Sequence, residues 1–184
     1  MNSRTSFDSR CDVSVIDLPA AGVDHVFAAD RAGSRALTIE VVVDGASAWT
    51  ASFAAPEPGI RALTEVLGTP TPTALCVVER GTAFLGDALR PASFEAIKTR
   101  SPIVGARQLL DGALLLLVTP WEVIAIDAAG VRWSTERIAV EGLRLAEVNG
   151  EWITGIADPH DDQPHPFSIE LATGRVLGGG DIGR

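Results

Sequence analysis

The feature of this sequence that most constrains its fold is a tight turn that recurs between pairs of apolar, β-branched segments. Four such turns, Asp44-Gly45, Arg80-Gly81, Asp111-Gly112 and Asn149-Gly150, follow one another at intervals of 36, 31 and 38 positions. Asp-Gly and Asn-Gly tolerate the positive φ angles of a two-residue hairpin turn, whereas only the second residue of Arg80-Gly81 adopts them freely. The spacing therefore predicts an antiparallel β protein built from a repeated hairpin unit.

Two segments interrupt the strand pattern and predict short helices. Residues 60–67 carry apolar side chains at helical spacing and end before Gly68, a residue type that commonly follows a helix. Residues 89–98 place Pro91 near the first turn of the second helix, where proline is tolerated. We therefore predict an all-β fold class: an antiparallel meander that forms a β-sandwich or a partial propeller of four-stranded units, with one or two short helices.

The length and composition of the chain suit a single folded unit. The chain has 184 residues, of which 46% are hydrophobic, and this is enough to bury a substantial core. Residues 1–10 have little apolar content and are expected to form a flexible N-terminus. Residues 11–184 then make up a single all-β domain.

The charge of the chain limits its possible partners, and its cysteine content limits the compartment in which it is expected. The net charge of −9 repels nucleic acid and anionic membrane surfaces, and the one short basic segment, residues 98–100, is too small to offset it. We expect neither nucleic acid nor a membrane as a partner.

Cys11 and Cys76 are too few to form a disulfide scaffold, and no apolar segment is long enough to span a bilayer. These features predict a soluble, cytoplasmic protein.

About the last 60 residues repeat a pattern of strand, glycine turn and strand. Gly130 and Gly174 lie 44 positions apart, close to the period of about 40–45 residues of four-stranded propeller blades. This part of the chain resembles the blade repeats of quinoprotein-like propellers and a group of uncharacterised soluble bacterial proteins. The matching segments are residues 130–133, 136–138, 141–143, 153–155, 166–169, 173–175 and 178–179. The resemblance implies a β architecture and no cofactor, because the aromatic-plus-glycine pattern that stacks blades on a cofactor is not repeated often enough.

One polar loop concentrates the residue types that bind transition metals. Residues 158–165 contain two of the three histidines, His160 and His165, together with Asp158, Asp161 and Asp162. Imidazole and carboxylate groups suit Zn²⁺ or another first-row metal, and the two histidines are close enough in sequence to converge. The alternative is a solvated hairpin loop that is stiffened by prolines and rich in turn-forming aspartates.

Three tryptophans are candidates for a ligand-binding groove. Trp121, Trp133 and Trp152 lie in the C-terminal half, and aromatic side chains are enriched at binding surfaces. The alternative is that they bury apolar area between sheets, and the alternation of Trp152 with Thr154 and Ile156 along one strand face fits such packing.

Gly155 is the glycine in this region that needs a structural explanation, because it interrupts an otherwise continuous strand. A glycine inside a strand marks a β-bulge or a close approach of another group to the backbone. The approaching group is either a neighbouring strand or a ligand, and packing by a neighbouring strand is the interpretation that we favour.

The sequence does not contain a recognisable catalytic arrangement, and no catalytic residue is assigned. We expect a soluble, non-catalytic binding or interaction protein that forms a homodimer, or binds a protein partner, through a sheet edge or a tryptophan-bearing face. One alternative is a metal-dependent, hydrolase-like enzyme that uses residues 158–165. Another is a small-molecule sensor that binds its ligand between the blade-like units.

Overall fold

The chain folds into strands joined by turns and loops. The computed structural model describes residues 3–4, 7–111, 113–160 and 162–180. No residue in these ranges is helical, which confirms the all-β prediction. The strands are β1 (Ser3–Arg4), β2 (Cys11–Val15), β3 (His25–Ala28), β4 (Ala36–Val43), β5 (Ser47–Ala54), β6 (Glu65–Gly68), β7 (Ala74–Glu79), β8 (Thr82–Asp87), β9 (Arg90–Ala96), β10 (Gly105–Leu109), β11 (Leu114–Val118), β12 (Val123–Asp127), β13 (Gly130–Ser134), β14 (Leu143–Asn149), β15 (Trp152–Ala157), β16 (His165–Glu170) and β17 (Val176–Gly178).

The strands form four sheets that follow one another along the chain. Sheet 1 has the strand order β2-β4-β5-β3, and sheet 2 has the order β1-β6-β7-β8-β9. Sheet 3 consists of β10 to β13 and sheet 4 of β14 to β17, each in chain order. Among the described strands, only β1 with β6 and β3 with β5 pair in parallel. The predicted antiparallel meander is thus found in sheets 3 and 4, while sheets 1 and 2 each add a parallel edge strand.

The four sheets stack face to face in chain order, with an apolar core between each neighbouring pair. Successive residues of a strand point to opposite faces of its sheet, so β7 and β11 supply side chains to the cores on both sides. Strands covered on both faces are expected to be almost continuously apolar, as these two are. Representative core residues are Ile39 and Phe84 between sheets 1 and 2, Cys76 and Leu115 between sheets 2 and 3, and Leu116 and Phe167 between sheets 3 and 4.

The four predicted hairpins are present. Asp44-Gly45 joins β4 to β5, and Arg80-Gly81 joins β7 to β8, with all four residues at positive φ. β10 and β11 pair on either side of Asp111-Gly112, of which Gly112 lies outside the described residues. Asn149 is the last residue of β14, so its turn to β15 begins one residue later, at Gly150 with φ 60°. The repeated hairpin unit is therefore confirmed.

Both predicted helices are wrong. Residues 65–67 of the first segment lie in β6, which pairs with β7, and most of residues 89–98 form β9, which pairs with β8. A two-turn helix is marginal by itself, because helix nucleation is costly and few hydrogen bonds follow it. Each segment instead pairs its backbone with an adjacent strand whose donors and acceptors would otherwise face no partner.

The linkers between sheets lie at one end of the stack, here called the linker end. They are residues 55–64, 97–104 and 135–142, and each runs from the last strand of one sheet toward the first strand of the next. The opposite end, here called the turn end, carries hairpin turns such as Asp44-Gly45 and Gly150-Glu151. Any site that combines residues from two sheets through their linkers must therefore lie at the linker end.

The start of the chain contacts sheet 2 and sheet 1. Phe7 is buried in the core between sheets 2 and 3, and the Arg10 guanidinium pairs with the Asp44 carboxylate at the turn end. The flexibility expected for residues 1–10 stays a prediction, since residues 1, 2, 5 and 6 lie outside the described ranges.

Candidate functional site

A cleft of about 630 Å³ opens at the linker end between sheets 1 and 2. The sheet 1 side consists of residues 28–30, at the end of β3, and residues 56–58, at the start of the first linker. The sheet 2 side consists of the β7–β8 turn, residues 80–82, and of residues 96–102, which leave β9. Concave sites where several loops meet are the usual location of small-molecule binding, so this cleft is the candidate functional site.

The β7–β8 turn in the cleft has a fixed backbone. The Gly81 N–H donates to the Leu63 carbonyl at 2.8 Å, and the Gly81 carbonyl accepts from the Ile103 N–H at 2.8 Å. Gly81 has φ 79°, and a Cβ there would lie 2.7 Å from the Pro102 Cβ. Only glycine fits this position, because both the conformation and the close approach of the next linker exclude a side chain.

Arg80 is held below the cleft surface by two glutamates. Its side chain is only 15% exposed, and its guanidinium lies 3.0 Å from the Glu57 carboxylate and 3.7 Å from the Glu79 carboxylate. Burial raises the pKa of Glu79, while a hydrogen bond with Thr64 and the charge of Arg80 oppose that rise. Arg80 is therefore a neutralised, well-anchored cation that shapes the cleft.

The outer part of the cleft carries charges of both signs. Lys98, the one lysine of the chain, lies on the sheet 2 side, and Asp30 lies on the sheet 1 side. Arg100 is engaged elsewhere, because its guanidinium lies 3.1 Å from the buried Glu122 carboxylate. Within the described part of the chain, Lys98 and Asp30 are both exposed and make no ion pair within 4.0 Å. These two charges remain available to a ligand.

The predicted metal-binding loop does not bring its side chains together in the part that the structure describes. Asp158 is 3% exposed, and its Oδ1 accepts hydrogen bonds from the N–H groups of Val140 at 2.9 Å and Glu141 at 2.6 Å. His160 and Asp162 are exposed, and His165 is half-buried at the start of β16. Within the described residues, no group of three or more His, Cys, Asp or Glu side chains could hold a metal ion. Asp161 lies outside those residues, so the metal site stays a prediction.

Asp158 instead belongs to a structural arrangement that occurs in three sheets. A buried carboxylate at the linker end accepts hydrogen bonds from the linker that enters its sheet. Glu79 forms a hydrogen bond with the Thr64 side chain in the first linker. Glu122 accepts a hydrogen bond from the Arg100 N–H in the second linker at 2.8 Å, and Asp158 accepts hydrogen bonds from N–H groups of the third linker, residues 135–142. Buried carboxylates need such donors, because an unpaired buried charge is costly. We call these three residues the acid clamps.

The three tryptophans lie in separate environments. Trp133 is buried between sheets 3 and 4, and its indole N–H donates to the Leu171 carbonyl at 2.9 Å. Trp121 donates to the Val140 carbonyl at 3.1 Å and is covered by the Arg137 guanidinium. Trp152 is half-buried, and the Arg175 guanidinium lies 5.6 Å from its ring centroid. Their role in ligand binding stays a prediction, and none of them lines the cleft.

Gly155 is explained by packing. A Cβ at this position would collide with the ring of Phe167 on β16 and would lie 2.7 Å from the Arg144 carbonyl on β14. The β14–β15 pairing also shifts register between Leu145 and Val148, next to this glycine. Both readings of the strand-interior glycine, a bulge and a close approach by neighbouring strands, therefore apply.

The cleft is the feature that sequence reasoning missed. Residues 98–100 stood out only as a basic segment too short for nucleic acid, and Asp30 did not stand out at all. One signal was present: the prolines at 56, 58 and 102 mark rigid, non-helical linkers. That the linkers carrying these prolines line one cleft depends on how sheets 1 and 2 stack, which no local pattern encodes.

Comparison with known proteins adds no family to this description. No protein-family model matches the chain, and no curated protein matches it either. In the described ranges, we find no helix with the length and apolar character needed to cross a membrane.

Proposed function

We propose that this chain is a non-catalytic binding protein and that the cleft between sheets 1 and 2 is its ligand site. The observation that supports this most is the pairing of a rigid turn, fixed through both backbone groups of Gly81, with unpaired charges at Lys98 and Asp30. Fixed backbone and convergent polar groups are what orient a ligand. Among the described residues that line the cleft there is no histidine or cysteine. The hydroxyls of Thr82, Thr99 and Ser101 thus have no imidazole beside them to activate them, which favours holding a ligand over transforming it.

We also infer that the stack is an open, propeller-like arrangement related to quinoprotein-like blade repeats. Four-stranded units repeated in chain order support this inference, as does the acid clamp in three of the four sheets. The free, buried thiols of Cys11 and Cys76 support a reducing compartment such as the cytoplasm.

The binding proposal is tested by filling the cleft. Ala28 is exposed and lines the cleft on the sheet 1 side, so Ala28→Trp should occlude it. Ala48 is an exposed alanine on β5 of the same sheet and lies outside the cleft, so Ala48→Trp is the matched control. The measurement is a screen of small polar metabolites by amide chemical-shift changes at Gly81 and Thr99.

We expect ligands that bind the parent and the Ala48→Trp variant equally but bind the Ala28→Trp variant at least about tenfold more weakly. Ligands that bind all three proteins with one affinity would contradict the proposal, as would a screen without any shift at the cleft.

The competing proposal is a metal-dependent, hydrolase-like enzyme that uses residues 158–165. It has less support, because Asp158 already accepts two backbone hydrogen bonds from the third linker. Stoichiometric zinc, manganese or nickel in the purified protein, measured by elemental mass spectrometry, would favour this second proposal over the first.

We propose a homodimer as the assembly, through the outer face of sheet 4. This face carries Trp152, Ile156, Pro166 and Leu177, because their neighbours Ile153 and Phe167 point into the core on the other side. Leu177 is 51% exposed. The outer face of sheet 1 is more polar, since Asp12, Ser14 and Glu40 alternate there with core residues.

A further inference from the structure

We propose that the cleft between sheets 1 and 2 binds a zwitterion, specifically a short peptide with free termini. The peptide carboxylate is held at Lys98 and its ammonium group at Asp30. This inference rests on the proposed function, since it names the ligand class for the same site.

The charge distribution of the cleft selects this class. The sheet 1 side presents the unpaired carboxylate of Asp30, and the sheet 2 side presents the unpaired ammonium group of Lys98. The other charges that line the cleft are already paired, Glu57 with Arg80 and Arg100 with Glu122. An anion without a positive group would gain only the contact with Lys98, and a cation without a negative group would gain only the contact with Asp30. A ligand with one charge of each sign is attracted by both sides, provided that it is oriented along the cleft.

Lys98 and Asp30 are the two cleft charges that the protein leaves unpaired. Arg80 is neutralised by Glu57 and Glu79, and Arg100 is paired with Glu122. In the described part of the chain, Lys98 and Asp30 lie more than 4.0 Å from each other and from any other partner charge. These two opposite charges line the two sides of one cleft and do not neutralise each other, so both can pair with the charges of a dipolar ligand.

Both charged residues are carried on backbone that the fold holds in place. Next to Asp30, the Ala29 N–H donates to the Ala54 carbonyl at 3.0 Å, and the Ala32 N–H donates to the Ala29 carbonyl at 3.1 Å. Two residues after Lys98, the Arg100 N–H donates to the buried Glu122 carboxylate at 2.8 Å. A site whose supporting backbone is ordered before binding loses less entropy when it binds.

The volume of the cleft agrees with a ligand of this size. Sites for small molecules have volumes of about 300–1,000 Å³, and this cleft, which is open to solvent, has a volume of about 630 Å³. Pro56, Pro58 and Pro102 give the cleft apolar, rigid surfaces against which short side chains can pack.

The experiment titrates the full chain with trialanine and with two analogues that each lack one charge. N-acetyl-trialanine keeps only the carboxylate, and trialanine amide keeps only the ammonium group. Affinity is measured from amide chemical shifts at Gly81 and Thr99. The variants are Lys98→Gln and Asp30→Asn, with Arg144→Gln and Asp12→Asn as exposed controls outside the cleft.

We expect trialanine to bind at least about tenfold more tightly than either analogue. Lys98→Gln should weaken the binding of trialanine to the level of the analogues and should leave the binding of trialanine amide unchanged. Asp30→Asn should also weaken the binding of trialanine but should leave the binding of N-acetyl-trialanine unchanged. The double variant Lys98→Glu with Asp30→Lys should recover binding, because the peptide can then enter in the opposite direction.

Other outcomes overturn the inference. An analogue that binds as tightly as trialanine overturns the zwitterion while leaving the binding function to the Ala28→Trp comparison. The inference is also overturned if trialanine at 10 mM causes no amide chemical-shift change, because a concentration on the order of 10 mM would reveal even a very weak ligand. If the metabolite screen then finds ligands sensitive to Ala28→Trp, only the ligand class is wrong; if it finds none, the proposed function fails as well.

Discussion

Single residues at close contacts determine how the strands of these sheets approach one another. Gly155 on β15 lies under the ring of Phe167 on β16, and Gly86 on β8 lies under the ring of Phe94 on β9. In both pairs the glycine leaves the space that the neighbouring aromatic ring occupies. The need for a close approach at Gly155 could be predicted from the sequence, because a glycine inside a strand is unfavourable without such a reason. That Phe167 is the residue packed against Gly155 could not be predicted, because the register between neighbouring strands is set by the whole sheet.

At the same scale, replacing Glu79 should change how stability depends on pH. Because burial raises the pKa of Glu79 in the folded state, its contribution is most favourable at low pH, where both states are protonated. The contribution is lost as the pH rises through the raised pKa. Glu79→Gln removes this charge, so the free energy of unfolding of the variant relative to the parent should begin to increase near the unfolded pKa of about 4.5 and should level off once the pH exceeds the raised folded-state pKa.

The measurement is urea denaturation at several pH values, with Glu95→Gln on the exposed side of β9 as the control. The control should show no such trend. A relative stability of Glu79→Gln that does not change with pH would show that folding leaves this pKa unshifted, and one that falls with pH would show that the carboxylate is stabilised in its charged form.

At the scale of elements, the acid clamps explain how each linker is attached to the sheet that it enters. Asp158 and Glu122 accept backbone hydrogen bonds from residues 17 to 22 positions earlier in the chain. The strands and hairpins of sheets 3 and 4 could be predicted from alternation and turn residues, which are local signals. The clamps could not, because a loop rich in His and Asp has the composition of a metal site, and the N–H donors that engage Asp158 come from another loop.

Removal of the third clamp should destabilise the protein whether or not metal is present. Asp158→Ala leaves the N–H groups of Val140 and Glu141 without their acceptor, and a buried unpaired donor costs about 1–3 kcal/mol. Asp158→Asn retains an acceptor oxygen and should cost less. Thermal unfolding with EDTA and with added Zn²⁺ distinguishes the alternatives.

If the loss of stability occurs only with zinc present, or if His160→Ala abolishes a zinc-dependent rise in melting temperature, residues 158–165 form a metal site. Equal losses with EDTA and with zinc support the clamp.

For the whole molecule, the sheets at the two ends of the stack differ in character. Sheets 2 and 3 are covered on both faces by cores, whereas sheets 1 and 4 each have one face without a neighbouring sheet in the described structure. Stacked repeat proteins need a polar outer face on their terminal repeats to stay soluble. The outer face of sheet 1 meets that condition better than the outer face of sheet 4, where Trp152 and Leu177 lie.

The homodimer proposal therefore predicts an effect confined to sheet 4. Light scattering should give twice the monomer mass at about 100 µM, a concentration at which interfaces of micromolar affinity are occupied. Ile156→Glu combined with Leu177→Glu should give the monomer mass. Val26→Glu, at a position that is 72% exposed on the outer face of sheet 1, should leave the dimer intact. A parent protein of monomer mass, or a loss of the dimer with Val26→Glu, would exclude this interface.

The chain-order assembly of the sheets has a consequence for synthesis on the ribosome. Every strand of sheet 3 pairs with its neighbour in sequence, and the same holds for sheet 4, so each needs only its own short stretch of chain to form. Contacts between residues close in sequence form quickly, and domains that emerge first fold first. All strands of sheets 1 and 2 lie within residues 3–96, so these sheets can form the two sides of the cleft while later residues are still being translated. A truncated nascent chain that extends past Glu122, the residue that anchors the Arg100 backbone, should already be able to present the ligand site.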